Sequence, residues 1–400
     1  MKVVVAMDSL KGSLSSIEAG EAIKRGILEA ISDAEVIIRP LADGGEGTVE
    51  ALVSGMGGRM ETVRVTGPLG EKVDCIYGIM ESINILSAAE NNLDEKKAGR
   101  IEKTAIIEMS GAAGITLVPK VSRNPLYTTT YGVGEVIKDA IFKGCRHFIV
   151  GIGGSATNDG GIGMLQALGY GILDKNGNQV SFGAKGLKEI VTITDDKVIP
   201  ELRECTFRVA CDVTNPLCGE FGCSAVFGPQ KGADSDMILQ MDQWLDNYAK
   251  LTSEKYEKAD AKYPGTGAAG GLGFAFLSYT NAVLESGIKI ILEETKLEDY
   301  VKDADIVVTG EGRLDGQTIY GKAPIGVAKL GKKYNKPVIA FSGSVTDDVV
   351  VCNDHGIDAF FPILRNVQTL EEAMDSVNAK KNMEQTAMQV FRLIKLKYWL

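Results

Sequence analysis

Short β-branched runs alternate along this chain with segments whose apolar positions recur at helical spacing. Val3–Ala6 predicts a strand. Ser15, with Glu18 three positions on, forms a capping-box pair that opens a helix running to about Ala30. Ala19, Ala22, Ile23, Gly26 and Ile27 give that helix one apolar face with room for close packing. Glu35–Arg39 predicts a second strand and Gly47–Ser54 a second helix, so the order argues for a parallel sheet covered by helices.

From about Glu61 the texture changes to shorter, turn-linked strands around Val63, Val65, Val73, Ile76 and Tyr77, with a turn at Gly67-Pro68. Residues 86–103 are polar and predict a solvated surface insertion. Further strands are expected at Ala105–Met109, His147–Val150 and Phe207–Cys211, and Asn176-Gly177 marks a hairpin turn. Val133, Val136, Ile137, Ala140 and Ile141 predict a helix that Gly144 can end, and another is expected over Met237–Leu251. The last third returns to the opening texture, with strands at Asp305–Val308 and Pro337–Phe341, a helix at Pro324–Tyr334 and a terminal helix from about Leu370. The layout that accounts for both ends is a discontinuous α/β domain, residues 1–66 plus 288–400, with a second α/β domain, residues 67–287, inserted in it.

Composition bounds the function. The 400 residues suit two domains, and 44% hydrophobic with 24% charged residues is ordinary for a globular chain. A net charge of −10 argues against a nucleic-acid groove or an anionic membrane as partner, since both reward basic surfaces. The apolar run from Val3 to Met7 is too short for a secretory leader, and no stretch is long enough for a membrane span. Seven cysteines fit free, buried thiols in a reducing cytoplasm. Cys211, Cys218 and Cys223 lack the paired spacing of zinc ligands, and His147 and His355 read as structural. Glycine stands out, at 47 residues without a collagen repeat, so the excess belongs to turns and ligand loops.

In open parallel sheets ligands bind beyond the carboxyl ends of the strands. Six predicted strands release glycine, hydroxyl or acidic residues there: Asp8-Ser9-Leu10-Lys11, Asp43-Gly44-Gly45-Glu46, Gly153-Gly154-Ser155 running on to Asn158-Asp159, Asp212 with Asn215, Gly310-Glu311-Gly312-Arg313 with Asp315, and Ser342-Gly343-Ser344. Glycine lets backbone N–H groups approach phosphate oxygens. Carboxylates can hold Mg²⁺ or accept a proton from a substrate hydroxyl, the pattern of phosphoryl transfer to an alcohol. Asp8, Asp43, Asp212 and Asp315 could equally shape turns or caps, and Glu46 could cap a helix. Gly316–Lys322 spells most of a Walker A loop, but Ala323 stands where the Mg²⁺-binding hydroxyl belongs, and no strand is expected directly before it. Gly265–Gly270 matches a dinucleotide fingerprint yet follows a polar segment, which argues against a dehydrogenase.

Seven segments together resemble the bacterial two-domain glycerate kinases: Asp8–Gly12, Leu41–Thr48, Thr128–Gly132, Gly151–Gly161, Cys211–Gly219, Val226–Gly232 and Thr309–Thr318. The resemblance implies a Rossmann-like domain with a second α/β domain inserted, an active site in the cleft between them, and ATP- and Mg²⁺-dependent phosphorylation of D-glycerate, giving 2-phosphoglycerate in most such enzymes and 3-phosphoglycerate in others. A homo-oligomer is compatible with it. The sequence departs from the pattern at Met7, where proline is usual, and in the length of residues 86–103. Roles are then expected as follows. Gly153, Gly154, Ser155, Gly310, Gly312 and Lys322 hold the nucleotide phosphates, and Asp212 or Asp159 orients the substrate hydroxyl with Lys11 beside it. Asp8, Ser9, Asn158, Asn215 and Arg313 bind substrate, and Asp43, Glu46, Glu311 and Asp315 are candidate Mg²⁺ ligands. The competing readings are a non-catalytic binding protein for a phosphorylated or hydroxy acid, and a kinase of a related hydroxy acid.

Overall fold

A computed structural model of the chain describes residues 1–42, 44–45, 47–83 and 101–397. The strands among them are β1 Lys2–Met7, β2 Glu35–Ile38, β3 Arg59–Thr66, β4 Lys72–Ile83, β5 Ile101–Glu108, β6 His147–Gly151, β7 Gly171–Leu173, β8 Thr192–Thr194, β9 Thr206–Ala210, β10 Ala282–Glu285, β11 Ile306–Leu314, β12 Val338–Val345 and β13 Ala359–Pro362. Two compact units result. The first comprises residues 1–43, 50–56 and 286–400, and the second residues 44–49 and 57–285.

The first unit is built on a five-stranded sheet in the order β13-β12-β11-β1-β2, parallel at every pairing. Val3, Val4 and Val5 of β1 are fully buried, as a strand covered on both faces requires. The helix Ser16–Ala30 forms where the sequence places it, because the Ser15 hydroxyl accepts from the Glu18 N–H while the Glu18 carboxylate accepts from the Ser15 N–H. Its small-residue face buries Ala19, Ala22, Ile23 and Ile27 in one apolar cluster with Ala379, Met383 and Ala387. Those three belong to the terminal helix Ser376–Lys397, so both chain ends share one core. The terminal helix is preceded by a separate short one, Leu370–Met374.

The second unit carries a six-stranded sheet in the order β10-β9-β6-β5-β4-β3. Its β5, β6, β9 and β10 run parallel, whereas β3–β4 and β4–β5 are antiparallel pairs. Because β3 pairs with β4 along its whole length, residues 57–66 belong here rather than with the amino-terminal segment. The expected Asn176-Gly177 turn is present, closed by the Asp174 carboxylate accepting from the Asn176 and Asn178 N–H groups. Of the predicted insertion at 86–103, residues 86–100 lie outside the described residues and 101–103 are the start of β5.

Two expectations are corrected. The strand predicted at Asp305–Val308 runs on to Leu314, pairing with β12 as far as Leu314 opposite Val345. Gly310, paired with Phe341, and Gly312 therefore lie inside β11 and not in a loop cradle, and Ser342-Gly343-Ser344 likewise lies inside β12. As a consequence a strand does lead almost directly into Gly316–Lys322, although Ala323 still lacks the hydroxyl of a Walker A loop.

Candidate functional site

In the first unit, three adjacent strands bring their carboxyl ends together: Met7 of β1 lies opposite Gly310 of β11, and Glu311 opposite Ser342 of β12. Side chains leaving these ends line a cavity of about 440 Å³ that includes Asp8, Ser9, Lys11, Glu311, Arg313 and Asp315. Lys322, Gly312, Gly343 and Ser344 line it too, so eight of the expected site residues converge on one hollow. Asp8 is buried, its N–H donating to the Gly310 carbonyl at 2.9 Å and its carboxylate accepting from the Ser9 N–H at 2.6 Å.

Charge is balanced closely around Lys322. Its ammonium sits 3.5 Å from Glu311 Oε1 and 3.7 Å from Asp315 Oδ1, and the Thr318 hydroxyl donates to Glu311 at 2.9 Å. Burial raises the Glu311 carboxyl above its ordinary range, opposed by Lys322 and Thr318. Arg313 leans on Asp315 at 3.5 Å while 62% of its side chain stays exposed, free to meet an anion entering the cavity. Glu311 and Asp315 are the described carboxylates that could hold Mg²⁺, which needs only one or two protein carboxylates when phosphate and water complete its shell. Among the described residues no group of three or more metal-ligating side chains exists, and Asp43 and Glu46 lie outside the described residues.

The second unit supplies the glycine-rich loop that follows β6. Gly153, Gly154 and Ser155 lead it, with Ser155 only 7% exposed. Asn158 and Asp159, expected to meet substrate, are both fully buried. Asp159 Oδ2 accepts from the Thr130 N–H at 2.8 Å and the Thr130 hydroxyl at 2.9 Å, and Oδ1 from the Gly161 N–H at 3.1 Å. Burial raises its carboxyl, and these bonds oppose the shift. Both oxygens are thus engaged in shaping the loop. Asn158 donates to the Ser224 hydroxyl at 2.8 Å, which ties the loop to the helix Cys223–Phe227.

The other glycine stretch, 265–273, packs beneath this loop instead of binding a dinucleotide. Gly270 adopts φ +67°, and a Cβ there would lie 2.1 Å from the Thr157 carbonyl, so only glycine lets the two backbones meet. The Gly160 N–H donates to the Gly270 carbonyl at 2.9 Å across that contact. Asp212 lies exposed just past β9, and Asn215 spends its amide on the Phe221 carbonyl at 2.9 Å, holding its own loop. The Val49 N–H donates to Glu108 at the end of β5, which fixes the start of the helix Thr48–Met56.

One residue here was not expected from the sequence. Lys231 is 2% exposed, and its ammonium donates to Ser155 Oγ at 2.8 Å and to the Thr157 carbonyl at 2.6 Å. The signal available was its place in Val226–Gly232, where a lysine beside proline and glycine reads as surface. His147 bonds Thr206 on the neighbouring strand and lies 3.8 Å from Glu102, His355 bonds the Val351 carbonyl, and all seven cysteines are free. No described helix is long and apolar enough to cross a membrane.

Comparison with known proteins agrees with this layout. A family model described as the glycerate kinase family matches residues 3–395. A glycerate 2-kinase of Escherichia coli (strain K12) is 47% identical over 373 residues, covering 93% of each chain. A glycerate kinase of Haemophilus influenzae is 46% identical over 398 residues, spanning 100% of both. A crystal structure from Salmonella typhimurium LT2, provisionally assigned as glycerate kinase 2, superposes with a TM-score of 0.87 at 45% identity and covers both chains completely.

Proposed function

This chain belongs to the glycerate kinase family, and from that premise we propose that it transfers the γ-phosphoryl group of ATP to the 2-hydroxyl of D-glycerate. The products are 2-phosphoglycerate and ADP. A new bond joins the substrate oxygen to phosphorus, the bond from phosphorus to the β–γ bridging oxygen breaks, and the hydroxyl proton leaves to a carboxylate. The name glycerate 2-kinase, carried by the Escherichia coli relative, favours the 2-hydroxyl.

The observation that carries this reading is the cavity at the ends of β1, β11 and β12. It is wide enough for a three-carbon acid and a phosphoryl group, and it offers both signs of charge. Arg313 and Lys11 suit the glycerate carboxylate, with Ser9 donating to a hydroxyl. Lys322 is assigned to phosphate charge in this cavity, and within the second unit the loop of Gly153, Gly154 and Ser155 is assigned to phosphate binding by its backbone N–H groups. Asp212, exposed just past β9, is assigned to accept the proton of the attacking hydroxyl. Asp159, with both oxygens engaged, is assigned to hold the loop. Glu311 and Asp315 would hold Mg²⁺, which when bound supplies charge to the phosphate oxygens. Seven free cysteines suit a reducing cytoplasm.

The test is ADP release from Mg-ATP with D-glycerate, L-glycerate, glycerol or no acceptor. The proposal expects release that requires D-glycerate. Binding of D-glycerate by calorimetry without any acceptor-dependent release would replace it with a binding-protein reading.

A further inference from the structure

Lys231 is an unusual cation. It lies at the end of the short turn Pro229–Lys231 with its ammonium enclosed, and among the described residues no carboxylate forms an ion pair with it. Its two recorded partners are neutral oxygens, Ser155 Oγ and the Thr157 carbonyl. The titratable groups that face it are Asp159, whose charge favours the ammonium across space while its oxygens accept from Thr130 and Gly161, and Cys223, whose thiol burial pushes up to about 12 and so keeps neutral. Burial outweighs the pull of Asp159, and a buried ammonium with no carboxylate in ion-pair contact is costly, so a fold that retains one leaves a place for an anion.

The hydrogen-bond directions leave one donor unused. An ammonium can only donate, so Ser155 Oγ must accept from Lys231, and the Ser155 O–H is turned away from it. Among the described residues that hydroxyl proton has no side-chain or backbone acceptor, while Ser155 keeps a small exposed face. The neighbouring buried atoms Thr157 Oγ1 and Asn158 Oδ1 also lack protein partners among the described residues. Lys231 thus polarises a donor that points out of the glycine-rich loop.

We propose that Lys231 is a positioning residue that acts through Ser155, supplying the positive charge that makes the loop of Gly153, Gly154 and Ser155 a phosphate-binding loop. This rests on the kinase reading for the identity of the phosphate, a nucleotide's, but not for the binding of an anion as such. Burial lowers the Lys231 ammonium to about 8, so the loop loses its charge in mildly alkaline solution unless an anion occupies it.

The experiment compares the full-length protein with Lys231→Met, Lys231→Arg and Ser155→Ala. Melting temperature is read with and without inorganic phosphate, and kcat and KM with ATP and D-glycerate across pH. Methionine fills similar space without charge, so K231M should melt within about 5 °C of the wild type in the absence of phosphate. It should lose the phosphate-induced rise that the wild type shows, and its kcat should fall about 100-fold, as for removal of one preorganised donor. S155A should lose the phosphate response as well. K231R should keep activity and move the alkaline fall in kcat/KM from near pH 8 to higher pH, because guanidinium stays charged. The proposal is overturned if the wild type shows no phosphate-induced rise, if K231M keeps the rise or its turnover, or if K231M and K231R lose melting temperature and activity together. Absence of D-glycerate-dependent turnover in the wild type would sink the kinase reading alone, and the phosphate comparison would still decide the role of Lys231.

Discussion

Asp159 and Asp212 are both acidic residues beyond strand ends, yet their surroundings predict opposite consequences for the same substitution. In Asp159→Asn the amide can keep only one accepting oxygen. If it retains the two bonds from Thr130, its NH₂ group faces the Gly161 N–H that now donates to Oδ1 at 3.1 Å. A hydrogen bond to a charged acceptor contributes about 1.5–3 kcal/mol, and the loss of charge weakens the remaining two. Relief of the carboxylate's burial offsets part of this, since burial raises its pKa. A net destabilisation of about 2–3 kcal/mol follows, or roughly 4–12 °C in the melting of a unit this size. Asp212 is exposed, so Asp212→Asn should leave melting within about 2 °C and lower kcat by about 100-fold or more. The assay pairs thermal unfolding by circular dichroism with steady-state ADP release on the same preparations. Loss of turnover in D159N at unchanged melting temperature would put Asp159 in the chemistry and refute its assignment as a loop holder. Near-normal turnover in D212N would remove Asp212 from proton transfer.

Three further predictions follow from separate features. Lys322→Met should raise KM for ATP or lower kcat enough to cost about 100-fold in kcat/KM, while the partly buried pairs with Glu311 and Asp315, long at 3.5 and 3.7 Å, contribute only about 1 kcal/mol to stability; a variant that melts much lower with intact kinetics would contradict this. Gly26→Ala would place a Cβ 2.2 Å from the Glu384 carbonyl and 2.9 Å from the Met388 nitrogen, so denaturant unfolding should show a loss of about 2–3 kcal/mol, and a neutral variant would deny that the first and terminal helices meet so closely. Lys231 has its pKa lowered from 10.5 to about 8, so the unfolded chain binds more protons between those values and wild-type stability should gain relative to K231M as pH rises through them, by on the order of 3 kcal/mol; a pH-independent difference would show that the ammonium is not buried alone.

What the sequence makes legible is local or periodic. The Ser15–Glu18 capping box, the alternating strands and helices of both chain ends and the glycine loop after β6 can each be read from a few adjacent residues. The convergence of Asp8, Lys11, Glu311 and Asp315 is legible too, because one rule about strand ends applies to each. The allegiance of β3 is not, since it depends on pairing with β4, a choice the local pattern leaves open. Nor is the length of β11, because Gly310 and Gly312 look like turn residues until β12 pairs with the strand that contains them. Polar residues among glycines show no sign of which way they face: Ser155 keeps some exposure whereas Asn158 and Asp159 turn inward. Lys231 is hidden for a related reason, since its burial comes from Ser155 and Thr157, more than seventy residues earlier in the chain.

The central claim is phosphoryl transfer to the 2-hydroxyl of D-glycerate. Proton-coupled phosphorus NMR of the product formed from Mg-ATP and D-glycerate tests it most directly. A phosphate on carbon 2 couples to a single carbon-bound proton, so the account predicts a doublet that appears only with enzyme and D-glycerate together. A triplet, from the two protons of carbon 3, would place the phosphate on the other hydroxyl, and no new resonance would contradict phosphoryl transfer to glycerate altogether.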